Sequence, residues 1–114
     1  MPYIKNFPHA HGAAPRSGGG RTARQIVSRT LAQNPYVSIT LFAFAEGEEI
    51  STHDSAGDAM VQVLEGTGRF TVGGEEHLIH AGEALVMPAG IPHAVFAPEA
   101  FKMLLTVVFP TQTH

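Results

Sequence analysis

Apolar and polar residues alternate in short stretches along most of this chain, with a period of two rather than 3.6. Tyr36 to Ala45 (YVSITLFAFA) is rich in β-branched and aromatic residues and ends at Glu46-Gly47, which predicts a long strand. From Ala59 onward, alternation puts Ala59, Val61, Val63 and Glu65 on one face, and Met60, Gln62 and Leu64 on the other. The stretch Phe101 to Phe109 puts Phe101, Met103, Leu105, Val107 and Phe109 on a face expected to join the core. Gly73-Gly74 separates Arg69–Val72 from Glu75–His80. A two-residue loop that tolerates positive φ at both positions predicts a tight hairpin. Glycines at 47, 57, 66, 73, 74, 82 and 90 punctuate the pattern, no segment of ten residues keeps a helical period, and no internal repeat aligns. The expectation is an all-β sandwich or barrel of eight to ten short strands with very little helix.

The first third reads differently. Residues 1–20 hold three prolines and four glycines without hydrophobic period, and are expected to be a flexible arm preceding a barrel domain over residues 21–114. In Arg21 to Leu31, the alternation of Ile26, Ser28 and Thr30 with Val27, Arg29 and Leu31 favours a strand over a short helix. Asn34-Pro35 then forces a turn. Such a strand would join its own sheet or that of a neighbouring chain.

Among 114 residues there is no cysteine, which excludes disulfides, thiolate metal sites and thiol nucleophiles. Apolar runs such as Ile39–Ala45 fall far short of the ~20 residues of a membrane helix, and no apolar leader follows Lys5. The chain is expected to be cytoplasmic, without a membrane partner. The net charge of −3 conceals an asymmetry: residues 1–45 carry five cations and no acid, and residues 46–114 carry a net −8. Five cations over 45 residues without interleaved aromatics are a sparse footprint for phosphates, so no nucleic-acid partner is expected. A basic arm lying on an acidic body, its own or that of a second subunit, accounts for the asymmetry, and a homodimer is expected.

Of seven histidines, His9, His11 and His114 lie in the arm or at the end of the chain. His77 and His80, three apart on a strand, fall on opposite faces. His53 and His93 each adjoin turn chemistry, and they anchor two recognisable patterns. Gly82-x5-Pro88-x-Gly90-x2-His93 is the second motif of the cupin family, complete except that Ala97 stands where the family has Asn. Gly47-x5-His53, with Gly66 at its proper distance, resembles the first motif, but Ser55 replaces its second His and Ala59 its Glu.

The chain therefore resembles a small single-domain cupin, a double-stranded β-helix or jelly-roll barrel. The resemblance implies a site inside the barrel and, in family members, a divalent metal on three histidines and a glutamate. Only His53 and His93 remain of that set. Bound there, zinc, iron, nickel or manganese needs further donors from water or from a carboxylate such as Asp54 or Asp58, although strand alternation argues against both carboxylates. The expected pocket includes Ser55, Asp58, Ala59 and Val61, where small apolar side chains widen the space for a small-molecule ligand. Three classes of function stay open. One is a metal-dependent enzyme acting on a small organic acid or aromatic compound. The second is a metal-free binding module, and the third is a structural dimer in which the two imidazoles survive as a hydrogen-bonded relic.

Overall fold

The computed structural model describes residues 26–110. The expected arm over residues 1–20 lies outside the described residues, as do residues 21–25 and 111–114, and with them four of the five early cations and His9, His11 and His114. The described residues form nine strands and no helix: β1 (Ile26–Gln33), β2 (Val37–Phe44), β3 (Glu49–His53), β4 (Asp58–Glu65), β5 (Thr67–Val72), β6 (Glu75–His80), β7 (Ala84–Met87), β8 (His93–Phe96) and β9 (Phe101–Val108). They make two antiparallel sheets, a five-stranded one in the order β1-β2-β9-β4-β7 and a four-stranded one in the order β3-β8-β5-β6. No helix among the described residues is long and apolar enough to cross a membrane.

The period-two pattern does the sorting. On β4, Ala59, Val61 and Val63 are buried and Met60, Gln62 and Leu64 are exposed. On β9, Phe101 and Met103 are buried, with Leu105 and Val107 packed against the same core. These residues meet Phe70 and Val95 from the opposite sheet, so the core lies between the two layers. One end is filled by aromatics. Phe44 stacks on Phe101 with ring centroids 4.7 Å apart, and Phe70 meets Phe101 edge-on at 6.1 Å.

Two glycine positions matter to this arrangement. Gly73 and Gly74 have φ of 58° and 86°, the conformation of a two-residue turn whose twist matches the β5–β6 hairpin. At Gly68 a Cβ would lie 2.7 Å from two ring carbons of Phe101, so the aromatic end closes only because no side chain is there. Gly68→Ala is expected to lower stability by about 1–3 kcal/mol, the usual cost of overpacking, as a shifted urea midpoint with an unchanged slope.

The early strand takes the first of its two expected arrangements within this chain. β1 pairs antiparallel with β2, from Ile26↔Phe44 to Gln33↔Ser38, with a bulge between Thr30 and Ala32. One inward assignment needs correction. A second bulge, between Val63 and Glu65, turns Glu65 off the core face and out to solvent, where its Oε2 receives a 3.2 Å bond from the Lys102 ammonium.

Candidate functional site

The aromatic rings occupy one end of the barrel, and histidines occupy the other. β3 ends at His53, β4 begins at Asp58, β7 ends at Met87 and β8 begins at His93, which brings four chain segments to that end. The β3–β8 register pairs Ile50 with Val95 and His53 with His93, so three steps along β3 match two along β8. That bulge matters. Plain alternation from Ile50 would give the inward position to Thr52, whereas the extra residue turns His53 onto the same face as Ile50, and both side chains line the interior.

The two imidazoles meet across this pair. His93 is 4% exposed and His53 is exposed, so one lies inside and the other stands at the mouth. Their rings are edge-to-face with centroids 4.3 Å apart, and their Nε2 atoms are 3.1 Å apart. Each Nδ1 faces a carbonyl two residues back: Ser51 O at 2.9 Å from His53 and Ile91 O at 3.2 Å from His93. A carbonyl oxygen only accepts, so each of these contacts is a hydrogen bond in the tautomer that carries its proton on Nδ1. In that tautomer of the neutral rings both Nε2 atoms present lone pairs to one another. Two lone pairs at this distance repel unless a proton or a metal ion lies between them. With metal–nitrogen bonds of about 2.1 Å, this separation corresponds to an angle of about 95° at a shared ion, suited to two adjacent coordination positions. The Nδ1–carbonyl bonds are the kind that orient metal-bound histidines.

Beside the pair lies a cavity of about 110 Å³. Its wall is largely apolar: Phe42, Ile50, Ala59, Val95, Leu105 and Val107, with Met87, Met103 and Ser55 completing it. Of the expected pocket residues, Ser55 and Ala59 are in this wall and two are not. Val61 is fully buried but sits in the packed core rather than against the cavity. Asp58 stands on the outward phase of β4, and its Oδ1 accepts a 2.8 Å bond from the backbone N–H of Ala89. Its carboxylate is thus committed to the β7–β8 turn. Ser55 donates its hydroxyl to Gly57 O at 2.7 Å, which closes the β3–β4 loop on itself. No group of three or more His, Asp or Glu side chains among the described residues is placed to hold a metal, so neither Asp54 nor Asp58 joins the two histidines. The other strand histidines are elsewhere. His77 shares the face of Phe70 and lies 3.6 Å from Glu75, and His80 pairs with Thr67 on the opposite face.

Sequence reasoning missed the sulfur in the wall. Met103 was legible only as core, and Met87 had no motif role. The signal for Met87 was the alternation of Ala84–Met87, in which Leu85 and Met87 take the inward phase.

Burial pushes the His93 pKa below its ordinary 6.5, and His53 adds to that, while the Ile91 carbonyl and Asp54 act in the opposite direction. In metal-free protein the folded state favours the neutral ring. As pH falls, the unfolded chain takes up the proton first. This contribution to stability is therefore full above about pH 6.5 and is lost as pH falls through the lower folded value. Metal-free His93→Gln is expected to lose that part of the decline in urea midpoint between about pH 7 and 5. An unchanged profile would show that other groups control it.

Residues 40–109 match the Cupin domain family model. The chain belongs to the cupin family. A conserved protein of unknown function from Streptococcus pyogenes is 42% identical, with 98% of each chain covered and a TM-score of 0.86. A cupin superfamily protein from Desulfitobacterium hafniense is 30% identical over 94% of this chain and 98% of its own, also with a TM-score of 0.86. The salicylate 1,2-dioxygenase of Pseudoaminobacter salicylatoxidans, solved as an adduct with gentisate, shares the fold with a TM-score of 0.69. At 20% identity it covers 77% of this chain, which corresponds to only 26% of the dioxygenase. No curated protein matches the chain.

For a cupin the donor set is reduced. The imidazole pair fits two positions of a metal centre, and the remaining positions have no carboxylate or third imidazole among the described residues. A metal held by His53 and His93 would take its other donors from the bound ligand, from water or from the cavity wall.

Proposed function

We propose that this cupin binds a small organic molecule inside the barrel, its polar end held by a metal ion on His53 and His93. The observation that carries this reading is the approach of two imidazole Nε2 atoms to 3.1 Å beside an apolar cavity. A cavity of about 110 Å³ is somewhat smaller than the ~150 Å³ engineered cavity that accommodates benzene. The ligand portion inside the barrel is therefore the size of a small ring or a short branched chain, and anything larger extends past exposed His53. Protein purified without a histidine tag is expected to carry close to one first-row metal ion per chain by elemental analysis, and His53→Ala or His93→Ala to lose it. Metal-free wild-type protein that gains thermal stability from small aromatic or organic acids would instead make it a metal-free binding module. The stabilisation is readable because ligand at ~100 times its dissociation constant adds about 2.7 kcal/mol.

We also infer that the chain works as a homodimer joined through the outer face of its five-stranded sheet. On that face large apolar side chains interrupt the polar Asp58, Gln62 and Thr106 of an ordinary outer face. Met60, Leu64, Val86 and Val108 are 37–57% exposed on it, beside partly covered Ile39 and Leu104. Four strands of eight residues and one of four, about 4.8 Å apart, present roughly 570 Å² of sheet. Two such faces meeting about a two-fold axis approach the ~800 Å² per partner of a standard interface. Residues 1–25, which include Met1, Tyr3, Ile4 and Phe7, are the competing cover of this face.

A further inference from the structure

Five side chains in the cavity wall carry an atom able to bind a cation: His53, His93, Ser55, Met87 and Met103. None is negatively charged. Ser55 donates its hydrogen to Gly57 O and keeps oxygen lone pairs, but a hydroxyl oxygen is a hard neutral donor, so the two thioethers are the soft donors beyond the imidazoles. The two methionines are equally buried, each 2% exposed, but they sit at different heights in the barrel. Met87 is the cross-strand partner of Ala59, at the end of β7, six residues before His93 opens β8. Met103 pairs with Val63, four residues further along β4 and therefore about 13 Å of strand from the Ala59 row. Ala59 is small and faces inward, so the long side chain of Met87 has room at the histidine end of the cavity.

Charge and softness then select the ion. The cost of taking an ion out of water rises with the square of its charge, so on the side of the site that faces the apolar wall, without a carboxylate, a divalent ion is penalised more heavily than a monovalent one of equal size. A divalent ion that retains waters also needs polar partners for them, and this wall offers few. Thioether sulfur is a soft donor suited to cuprous copper, and imidazole binds copper well. Cuprous ion is also satisfied by two or three donors.

We propose that the site selects monovalent copper, held by Nε2 of His53, Nε2 of His93 and the thioether of Met87. The inference rests on the reading of the imidazole pair as a metal site and specifies which ion that site prefers. The test uses the full chain, metal-free and under anaerobic conditions, titrated with cuprous copper alone against a chromogenic cuprous chelator and, separately, with zinc alone. Copper X-ray absorption reports the donor atoms. The expected result is one copper per chain, bound more tightly than zinc, with nitrogen and sulfur scatterers. Met87→Leu, a volume-conserving swap, is expected to remove the sulfur scatterer and weaken copper at least tenfold while leaving zinc affinity unchanged. Met103→Leu should change neither. Tighter binding of zinc than of copper, a nitrogen-only copper shell, or unaltered copper affinity in Met87→Leu overturns the inference and leaves the two-histidine site standing. Unaltered binding of both metals in His93→Ala overturns the inference and the underlying reading together.

Discussion

Placing a carboxylate on the cavity wall by Ala59→Glu is expected to raise zinc affinity by about two orders of magnitude, equivalent to ~2.7 kcal/mol. Ala59 is 2% exposed, faces inward from β4 and lines the same cavity as His53 and His93. A glutamate there would bring to the two Nε2 lone pairs the negative charge that the wall lacks. The substitution also has a cost. Without metal, the new carboxylate is buried among Phe42, Leu105 and Val107 with no cation except a protonated imidazole. A fall of about 2–3 kcal/mol in metal-free stability is expected, since the effective penalty for a buried ion is several kcal/mol and the imidazolium offsets part of it. Zinc should restore the loss. Isothermal titration with zinc, together with urea unfolding with and without it, reads both effects. Ala59→Gln supplies nearly the same volume without the charge. Equal zinc affinity for the glutamine and glutamate variants would show that the missing charge does not limit the natural site.

The barrel itself was largely legible from the chain, for a local reason. Period-two alternation at Ala59–Val63 and Phe101–Val107 reports which face is buried, and Gly73-Gly74 reports a turn. Neither depends on distant partners. The spacing from Gly82 to His93 likewise singled out one of the two imidazoles that meet across β3 and β8. What escaped the sequence was set by departures from alternation and by long-range bonds. The bulge before His53 is what puts it on the inner face where the motif spacing had it, and the bulge after Val63 moves Glu65 to the outer one. Either shift inverts a side-chain direction without a residue that announces it. Asp58 is withdrawn from the site by an amide 31 residues away, a contact that strand pattern cannot reveal. The approach of the two Nε2 atoms goes with two separate contacts from Nδ1 to carbonyls, each local to its own segment, and becomes informative only when β3 and β8 are side by side.

The outer face of the five-stranded sheet gives the other large expected effect. Met60→Glu should convert the protein from a dimer to a monomer. Met60 lies on the outward phase of β4, between Thr106 of β9 and Val86 of β7, so it sits well inside the apolar face rather than at its edge. In a two-fold contact each substitution enters the interface twice, and two carboxylates would be confronted with Val86, Leu104 and each other at low hydration. Like charges brought together in this way cost several kcal/mol. The folded chain itself should tolerate the change. Met60 is 37% exposed in the single chain, and substitutions at such positions usually alter stability by less than about 0.5 kcal/mol. Light scattering of the wild type is expected to give a mass near twice the 12.1 kDa of one chain, and of Met60→Glu a mass near 12.1 kDa. Removing residues 1–25 separates the two candidate covers of the face. If the shortened chain remains a dimer, the sheet face makes the contact. If the full-length wild type is already monomeric and the shortened chain associates or aggregates, the face is covered by the chain's own first residues, and the homodimer reading is wrong.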